Sequence, residues 1–358
     1  MNMKGVLLAG GTGSRLYPIT YTGPKQLVPI ANKPVLDYAI EDFREAGIDE
    51  IGVVLGNKGR DAIQEHLGDG SAYGVDITYI VQGEPLGLGH AVGCARDFVG
   101  DDSFVVYLGD DLMREGITEM VEKFDPREYS AGIGLQKVDE PSRYGIVELD
   151  ANDDVVSLVE KPDTPPSDLA LIGIYIFTPD IFEQIESLEP SWRGELEITD
   201  AIQGLLEAGK RVESHQVHGW WKDTGKPEDV LQANRLVLDG LEADIQGQVE
   251  DGASVSGRIE LQEEAIIEDG AVVRGPVSIG RGTRICSNAY IGPYTSIGEQ
   301  SIVDNVHIEE SVAMGENEIT ADRKIIDSLV GRKASVTSGK DKPSGERITV
   351  GRNSTLEL

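Results

Sequence analysis

The chain has almost no cysteine. Cys94 and Cys286 are the only two among 358 residues. That excludes a disulfide framework and a cysteine metal site, and it fits a reducing cytoplasm. Positive charge is also scarce: 32 Lys and Arg face 63 Asp and Glu, a formal net charge of −31. So acidic a chain repels nucleic acid and anionic membranes, and neither is expected as a partner. No apolar stretch approaches a membrane span, and the N-terminal apolar run is too short for a signal-peptide core. Two common phosphate-binding strings are missing as well. There is no G-x-x-x-x-G-K-[S/T], and the start of a G-x-G-x-x-G at Gly11-Thr12-Gly13 meets Leu16 where its last glycine belongs. Histidine is absent after residue 218 except for His307, which falls where the C-terminal repeat loses register and reads as a loop position.

The acidic residues are spread through the chain rather than gathered in a tail. They read as a solvated surface suited to a salt-rich cytoplasm, where repulsion is screened, so a halophilic source is expected. Against this background the few cations carry information. The apolar run Gly5–Ala9 opens straight into Gly10-Gly11-Thr12-Gly13-Ser14-Arg15-Leu16, followed by Pro24-Lys25-Gln26-Leu27 and Asn32-Lys33-Pro34. Glycines let backbone N–H groups approach an anion without a Cβ clash, and Arg15 and Lys25 add fixed positive charge. The block describes a phosphate cradle.

Residues up to about 240 alternate strand-like and helical patterns. Strands are expected at Gly5–Ala9, Ile51–Leu55, Ile77–Val81 and Phe104–Leu108, with helices near Val35–Ala46, Asp61–Leu67 and Gly89–Ala95. That order predicts βαβ units and a parallel sheet, with ligands at the carboxyl ends of its strands. The loop after Ala9, the segment after Val81, and Gly109-Asp110 after Leu108 should then share one edge. Four more strands are expected between Ala131 and Phe177, and helices at Pro179–Ser187, Ile198–Ala208 and Pro227–Leu238.

The last third follows another rule. Apolar residues recur every sixth position from Val249 through Leu261, Ile279 and Ile291 to Val303, and two positions before most of them the residue is small. Period six fits neither a helix nor a flat strand. It fits a hexapeptide-repeat β-helix, whose triangular coils stack their inward residues. The register fails at Glu309. Ala321–Lys324 and Gly339–Gly345 read as loops, and echoes return at Val330/Val336 and Val350/Leu356. The flat coil faces suit self-association into trimers or higher oligomers.

Further blocks point to chemistry. Gln82-Gly83-Glu84-Pro85-Leu86-Gly87 offers an amide for a base edge and a glycine for close approach. Asp110 follows a strand, where a carboxylate can reach a metal at the strand end or simply cap a turn, and Asp223 lies in Trp221-Lys222-Asp223-Thr224-Gly225. Arg143-Tyr144-Gly145, Glu160-Lys161-Pro162 and Arg193–Asp200 complete the set.

Together these blocks resemble the signature of the sugar-1-phosphate nucleotidylyltransferases, which reads G-G-x-G-[T/S]-R-L, P, then P-K-x-L-x-P and K-P. Within that family they look most like the glucose-1-phosphate thymidylyltransferases in the long form with a β-helix. The resemblance implies an α/β fold: a Rossmann-like mixed sheet over 1–240 and a left-handed parallel β-helix over 241–358. It implies nucleotide binding by Ala9, Gly10, Gly11, Gly13, Ser14, Gln82 and Gly87. Sugar-phosphate binding falls to Tyr144, Gly145, Glu160 and Lys161. Mg²⁺ falls to Asp110 and Asp223, and catalysis to Arg15, Lys25 and Lys161. The partners implied are a nucleoside triphosphate (dTTP or UTP) and a sugar 1-phosphate, with glucose 1-phosphate foremost and N-acetylglucosamine or mannose 1-phosphate as alternatives. A homo-oligomer is expected. Asp111 stands where relatives often carry asparagine, which reads as a minor departure. An added acyltransferase on the β-helix and a non-catalytic regulatory relative are the rival readings. The first wants a histidine in the coils; the second wants losses at Arg15, Lys25, Asp110, Lys161 and Asp223, all of which are present.

Overall fold

The computed structural model describes residues 3–338. Its N-terminal part is built on a nine-stranded mixed sheet. Met3–Ala9 lies between Ser103–Leu108 and Glu50–Leu55, and Asp76–Val81 follows on the outer side, all parallel. These are the apolar runs read from the sequence; the three inner ones are mostly buried, as a sheet covered on both faces requires, and Asp76–Val81 at the edge is largely exposed. Val35–Glu45 presents Leu36, Ala39, Ile40 and Phe43 to one face of the sheet, a stripe at helical spacing. Ile198–Glu207 does the same on the other face with Ile198, Ala201, Ile202 and Leu205.

The sheet is mixed, as the family resemblance implies, and the parallel order of the first strands gives way beyond Ser103–Leu108. Leu169–Phe177 runs antiparallel to it and to Ala131–Lys137 and Gly145–Leu149. Val155–Glu160 closes this side as a hairpin on Gly145–Leu149. The short 150–154 connection between those last two strands leaves no room for a crossover helix, so they pair antiparallel. A small ribbon stands apart from this sheet: Asp111–Met113 pairs antiparallel with Trp221–Asp223, Asp223 facing Asp111.

From Asp244 onward, short strands stack into three parallel sheets of six, six and five strands, the arrangement of a left-handed parallel β-helix. Partners in successive coils are eighteen residues apart, as Gln248 with Ile266 and Val273 with Ile291. The inward residues Leu261, Ile267, Val273, Ile279, Ile285, Ile291, Ile297 and Val303 are completely buried. The repeat does not end at Glu309. It shortens: Tyr290 pairs with His307 and Ser296 with Val312, so coils of seventeen and sixteen residues continue the stack through Ile319 and Val336. His307 is therefore no loop residue; it begins the strand His307–Glu309, with its ring on Tyr290 at 4.1 Å. Of Ala321–Lys324, Lys324 opens a further strand. Gly339–Gly345 and the Val350/Leu356 echo lie outside the described residues.

Candidate active site

A cleft of about 440 Å³ opens along the carboxyl ends of the parallel strands. Its lining joins segments far apart in sequence, among them Gly10, Gly11, Arg15, Lys25, Gln82, Gly87, Asp110, Tyr144, Gly145, Glu160, Lys161 and Asp223. Three expected residues lie off the lining. Ala9 is a buried strand residue, Gly13 turns the chain in the left-handed region at φ 64°, and Ser14 starts the short 3₁₀ turn that carries Arg15.

The glycines at the loop are needed for space. A Cβ on Gly11 would come within 2.8 Å of the Lys25 side chain, and one on Gly10 within 2.7 Å of Gln82 Oε1. Any larger residue would push Lys25 or the Gln82 amide aside.

At the cation end, the Asp111–Met113/Trp221–Asp223 ribbon brings together carboxylates that the sequence separates by over a hundred positions. Thr224 fastens the join, its N–H and hydroxyl both donating to the Asp110 carbonyl at 3.0 and 2.8 Å. Asp110, Asp111 and Asp223 each offer an oxygen within 4.8 Å of the others. Lys25 Nζ donates to Asp110 Oδ2, and Arg15 Nη2 lies 4.0 Å from Asp223 Oδ2. Gly225 leaves room for this pair, since a Cβ there would meet Arg15 Nη2 at 2.6 Å.

The three acids differ electrostatically. Burial pushes Asp110 up, but the adjacent Lys25 ammonium outweighs it and holds the carboxyl below its usual range. Burial and the Asp110 charge raise Asp223 to about 6. Burial, Asp110 and Asp223 push Asp111 well above the ordinary value. Three close acids in a buried cluster are costly unless a cation joins them. Asp223 Oδ1 is buried with no hydrogen-bond partner among the described residues. An unpartnered oxygen beside two further carboxylates is a donor set that fits a hard divalent cation such as Mg²⁺.

Asp111 is not a minor departure. It is 2% exposed, and its Oδ2 accepts from Gly173 N at 3.1 Å and Trp221 Nε1 at 2.9 Å. Gly173 is obligatory, since a Cβ would overlap that oxygen at 2.0 Å. Trp221 in turn meets the Tyr144 ring edge-on at 5.7 Å, so Asp111 ties the acid cluster to the far end of the cleft.

That far end is a charged pocket. Glu160 Oε1 faces Lys161 Nζ at 3.1 Å and Arg193 Nη1 at 3.4 Å, and Glu160 Oε2 accepts from Thr199 Oγ1 at 2.8 Å. Lys161 adopts a left-handed φ of 40°, which turns the chain at the strand end. Arg193 also pairs with Glu195 and with buried Glu197. Gly145 packs against this group: a Cβ would come within 2.9 Å of Thr199 Oγ1 and 3.1 Å of Glu160 Oε2. Between the two ends, Gln82 Nε2 donates to the Gly87 carbonyl at 3.3 Å. Gly87 has a φ of 112°, and a Cβ would strike Leu196 O at 2.6 Å. Leu196 N donates to Leu86 O and Leu196 O accepts from Gly89 N, so the Arg193–Asp200 block braces the Gln82–Gly87 loop.

The sequence reading missed Gln26. It is 1% exposed, neither amide atom has a hydrogen-bond partner among the described residues, and it lies beside Gly11 and Gly109. Its only cue was its place next to Lys25.

A parallel-sheet edge with a glycine loop, paired cations and an acid cluster suits a phosphate-bearing substrate beside a divalent cation. The chain belongs to the nucleotidyl transferase family, whose model matches residues 4–240. It is 62% identical over 357 residues to the low-salt glycan biosynthesis nucleotidyltransferase Agl11 of Haloferax volcanii, covering 99% of this chain and 100% of that protein. It is 44% identical over 356 residues to a glucose-1-phosphate thymidylyltransferase of Streptomyces griseus, covering 99% of each. A crystal structure of a UDP-glucose pyrophosphorylase complexed with UDP-glucose superposes with a TM-score of 0.60 at 29% identity. It covers 67% of this chain and 100% of that one.

Proposed function

We propose that this protein transfers a nucleotidyl group from dTTP, or UTP, to glucose 1-phosphate, giving the nucleotide sugar and pyrophosphate. The observation that carries the reading is one cleft with two unlike ends. Arg15, Lys25 and three carboxylates stand at one end; Glu160, Lys161 and Arg193 stand at the other. Such a cleft suits two phosphate-bearing substrates that must meet at one phosphorus. The thymidylyltransferase relative supports glucose 1-phosphate and dTTP, and the UDP-glucose pyrophosphorylase supports UTP as the alternative.

The chemistry is one in-line displacement. An oxygen of the sugar 1-phosphate attacks the nucleotide α-phosphorus, the bond to the β-phosphate bridging oxygen breaks, and pyrophosphate leaves with the electron pair. The attacking phosphate is already ionised at neutral pH, so no serine–histidine pair is needed. The residues act by position and charge. The glycine loop N–H groups, Arg15 and Lys25 hold the β- and γ-phosphates and balance the charge that builds on the departing pyrophosphate. Lys161 holds the sugar's phosphate, and Glu160 accepts hydrogen bonds from sugar hydroxyls. Gln82 reads the base edge, and Gly87 lets the base lie close to backbone. Mg²⁺, held by Asp110 and Asp223, would supply charge neutralisation at the reacting phosphate.

The reading extends to context. A net charge of −31 and the Haloferax relative support a protein adapted to a salt-rich cytoplasm, and the β-helix faces support a homo-oligomer. The test is a pyrophosphate-release assay crossing dTTP, UTP, GTP, CTP and ATP with glucose-, mannose-, galactose- and N-acetylglucosamine 1-phosphate. The highest kcat/KM should fall on dTTP or UTP with glucose 1-phosphate. A preference for ATP or GTP, or for another sugar, would overturn the assignment.

A further inference from the structure

The segment that carries Arg15 and Lys25 does not rest on its own domain alone. Leu16, Val28 and Ile30 are buried in a cluster that also holds Val230 and Ala233 of the helix Pro227–Asp239. The cluster is completed by Val312 and Met314, which belong to the β-helix. Just beyond lies a two-residue hairpin, Pro29–Ile30 against Lys33–Pro34. Its turn residues, Ala31 and Asn32, both sit in the left-handed region, at φ 47° and 65°. That conformation is costly for alanine and is kept where the surroundings enforce it.

The surroundings here are the β-helix. Asn32 Nδ2 donates to Ser278 Oγ at 2.7 Å and to the Ile297 carbonyl at 3.1 Å. Ser278 is fully buried, and its hydroxyl donates in turn to Glu260. On the other flank Asn234 Oδ1 accepts from Ala31 N at 2.9 Å and from Ser296 Oγ at 2.7 Å, while its Nδ2 donates to Tyr294 O at 3.1 Å. The hairpin tip is thus fixed at two points to coils of the β-helix. The path back to Lys25 is short and stiff: Val28 N donates to the Lys25 carbonyl at 3.1 Å, and Val35 N to the Val28 carbonyl at 3.1 Å.

We propose that the β-helix is part of the catalytic apparatus, with Asn32 and its partner Ser278 as positioning residues that hold Lys25 over the site. The inference rests on the reading of Lys25 as a phosphate-holding cation. Neither residue touches substrate; each acts through the 25–34 segment. A shift of Lys25 by a fraction of an ångström affects the step in which charge develops on pyrophosphate. It leaves the Glu160–Lys161 end, on a separate strand, undisturbed.

The test is steady-state kinetics on the full chain with Asn32→Gly, Ser278→Ala and the double variant. Glycine keeps the left-handed turn and removes only the latch. Each single variant should lower kcat about tenfold, with the KM for glucose 1-phosphate changed by less than about twofold. Both variants remove the Asn32–Ser278 bond, and Asn32→Gly removes the bond to the Ile297 carbonyl as well, so the double variant should be no slower than Asn32→Gly. Unchanged kcat in both single variants would overturn the inference, and so would kcat and sugar KM worsening together, the mark of general loosening. Should Asn32→Gly fail to fold, Ser278→Ala decides by the same criteria. Failure of the parent reading shows separately, as a wild-type protein without transfer activity, and takes the inference with it.

Discussion

Asp111→Asn should make the metal-free protein more stable, and the reason lies in the geometry around one oxygen. Both hydrogen bonds to Asp111 end on Oδ2, which accepts from Gly173 N and Trp221 Nε1. An asparagine that places its carbonyl oxygen there keeps both bonds and the side-chain volume. What it loses is a carboxyl buried beside Asp110 and Asp223, which burial and those neighbours hold well above its ordinary pKa. The sign follows from that direction. A carboxyl raised on folding adds stability below its unfolded pKa, and that contribution is lost as pH rises through the folded value. The wild type, stripped of metal with EDTA, should therefore lose stability from acid toward alkaline pH, and the variant should lack that part of the slope. At pH 8 the variant should gain on the order of 1–3 kcal/mol, the usual scale for a buried polar group poorly matched to its surroundings, which in a chain of this length is a few °C in Tm, by calorimetry or circular dichroism. A variant less stable than wild type at pH 8, or one with the full wild-type pH slope, would refute the reasoning.

Single residues elsewhere carry their own consequences. Lys25→Ala and Asp110→Ala should each lower kcat by about 10²–10³ in the pyrophosphate-release assay, the usual cost of removing a group that balances transition-state charge. Gly145→Ala drives a methyl toward Thr199 and Glu160, so it should raise the glucose 1-phosphate KM by about tenfold and leave the nucleotide KM near wild type. Asp42, remote from the cleft, is raised to about 7 by burial despite the Tyr107 hydroxyl at 2.9 Å. It contributes stability below about pH 4 that is lost as pH rises through about 7, and Asp42→Asn should remove that loss, about 2 kcal/mol between about pH 5 and 8. Unfolding midpoints should fall steeply below about 0.1 M salt, where a charge of −31 is poorly screened; full stability and activity without added salt would contradict the halophilic reading.

Much of this was legible in the sequence because local rules agreed with the global ones. The parallel strands and their helices came from periodicity, and the glycine loop came from the need to free backbone N–H groups beside Arg15. The β-helix came from period six alone. That the sheet is mixed came through family resemblance; that Leu169–Phe177 is the strand that reverses was not legible, since composition does not set strand direction. The continuation past Glu309 showed only as the echo at Val330/Val336, because shortened coils break the spacing while keeping the inward stack at Ile308, Ala313 and Ile319. The meeting of Asp110 with Asp223 was named through family resemblance; its physical cause, the Asp111–Met113/Trp221–Asp223 ribbon, is tertiary. Asp111 read as a minor departure and Gln26 was passed over, because nothing in their neighbours foretold that both are almost fully buried. The Asn32 latch was invisible for the same reason, since its partners Ser278 and Ile297 belong to the other domain.

If one cleft joins two substrates at the α-phosphorus, a label on that atom reports it directly. The experiment mixes dTTP labelled at the α-phosphorus with glucose 1-phosphate, Mg²⁺ and enzyme. The label should move into dTDP-glucose, one pyrophosphate appearing for each, and nothing should happen when either glucose 1-phosphate or Mg²⁺ is left out. Label released as dTMP, or pyrophosphate formed without the sugar phosphate, would contradict a direct transfer between the two substrates.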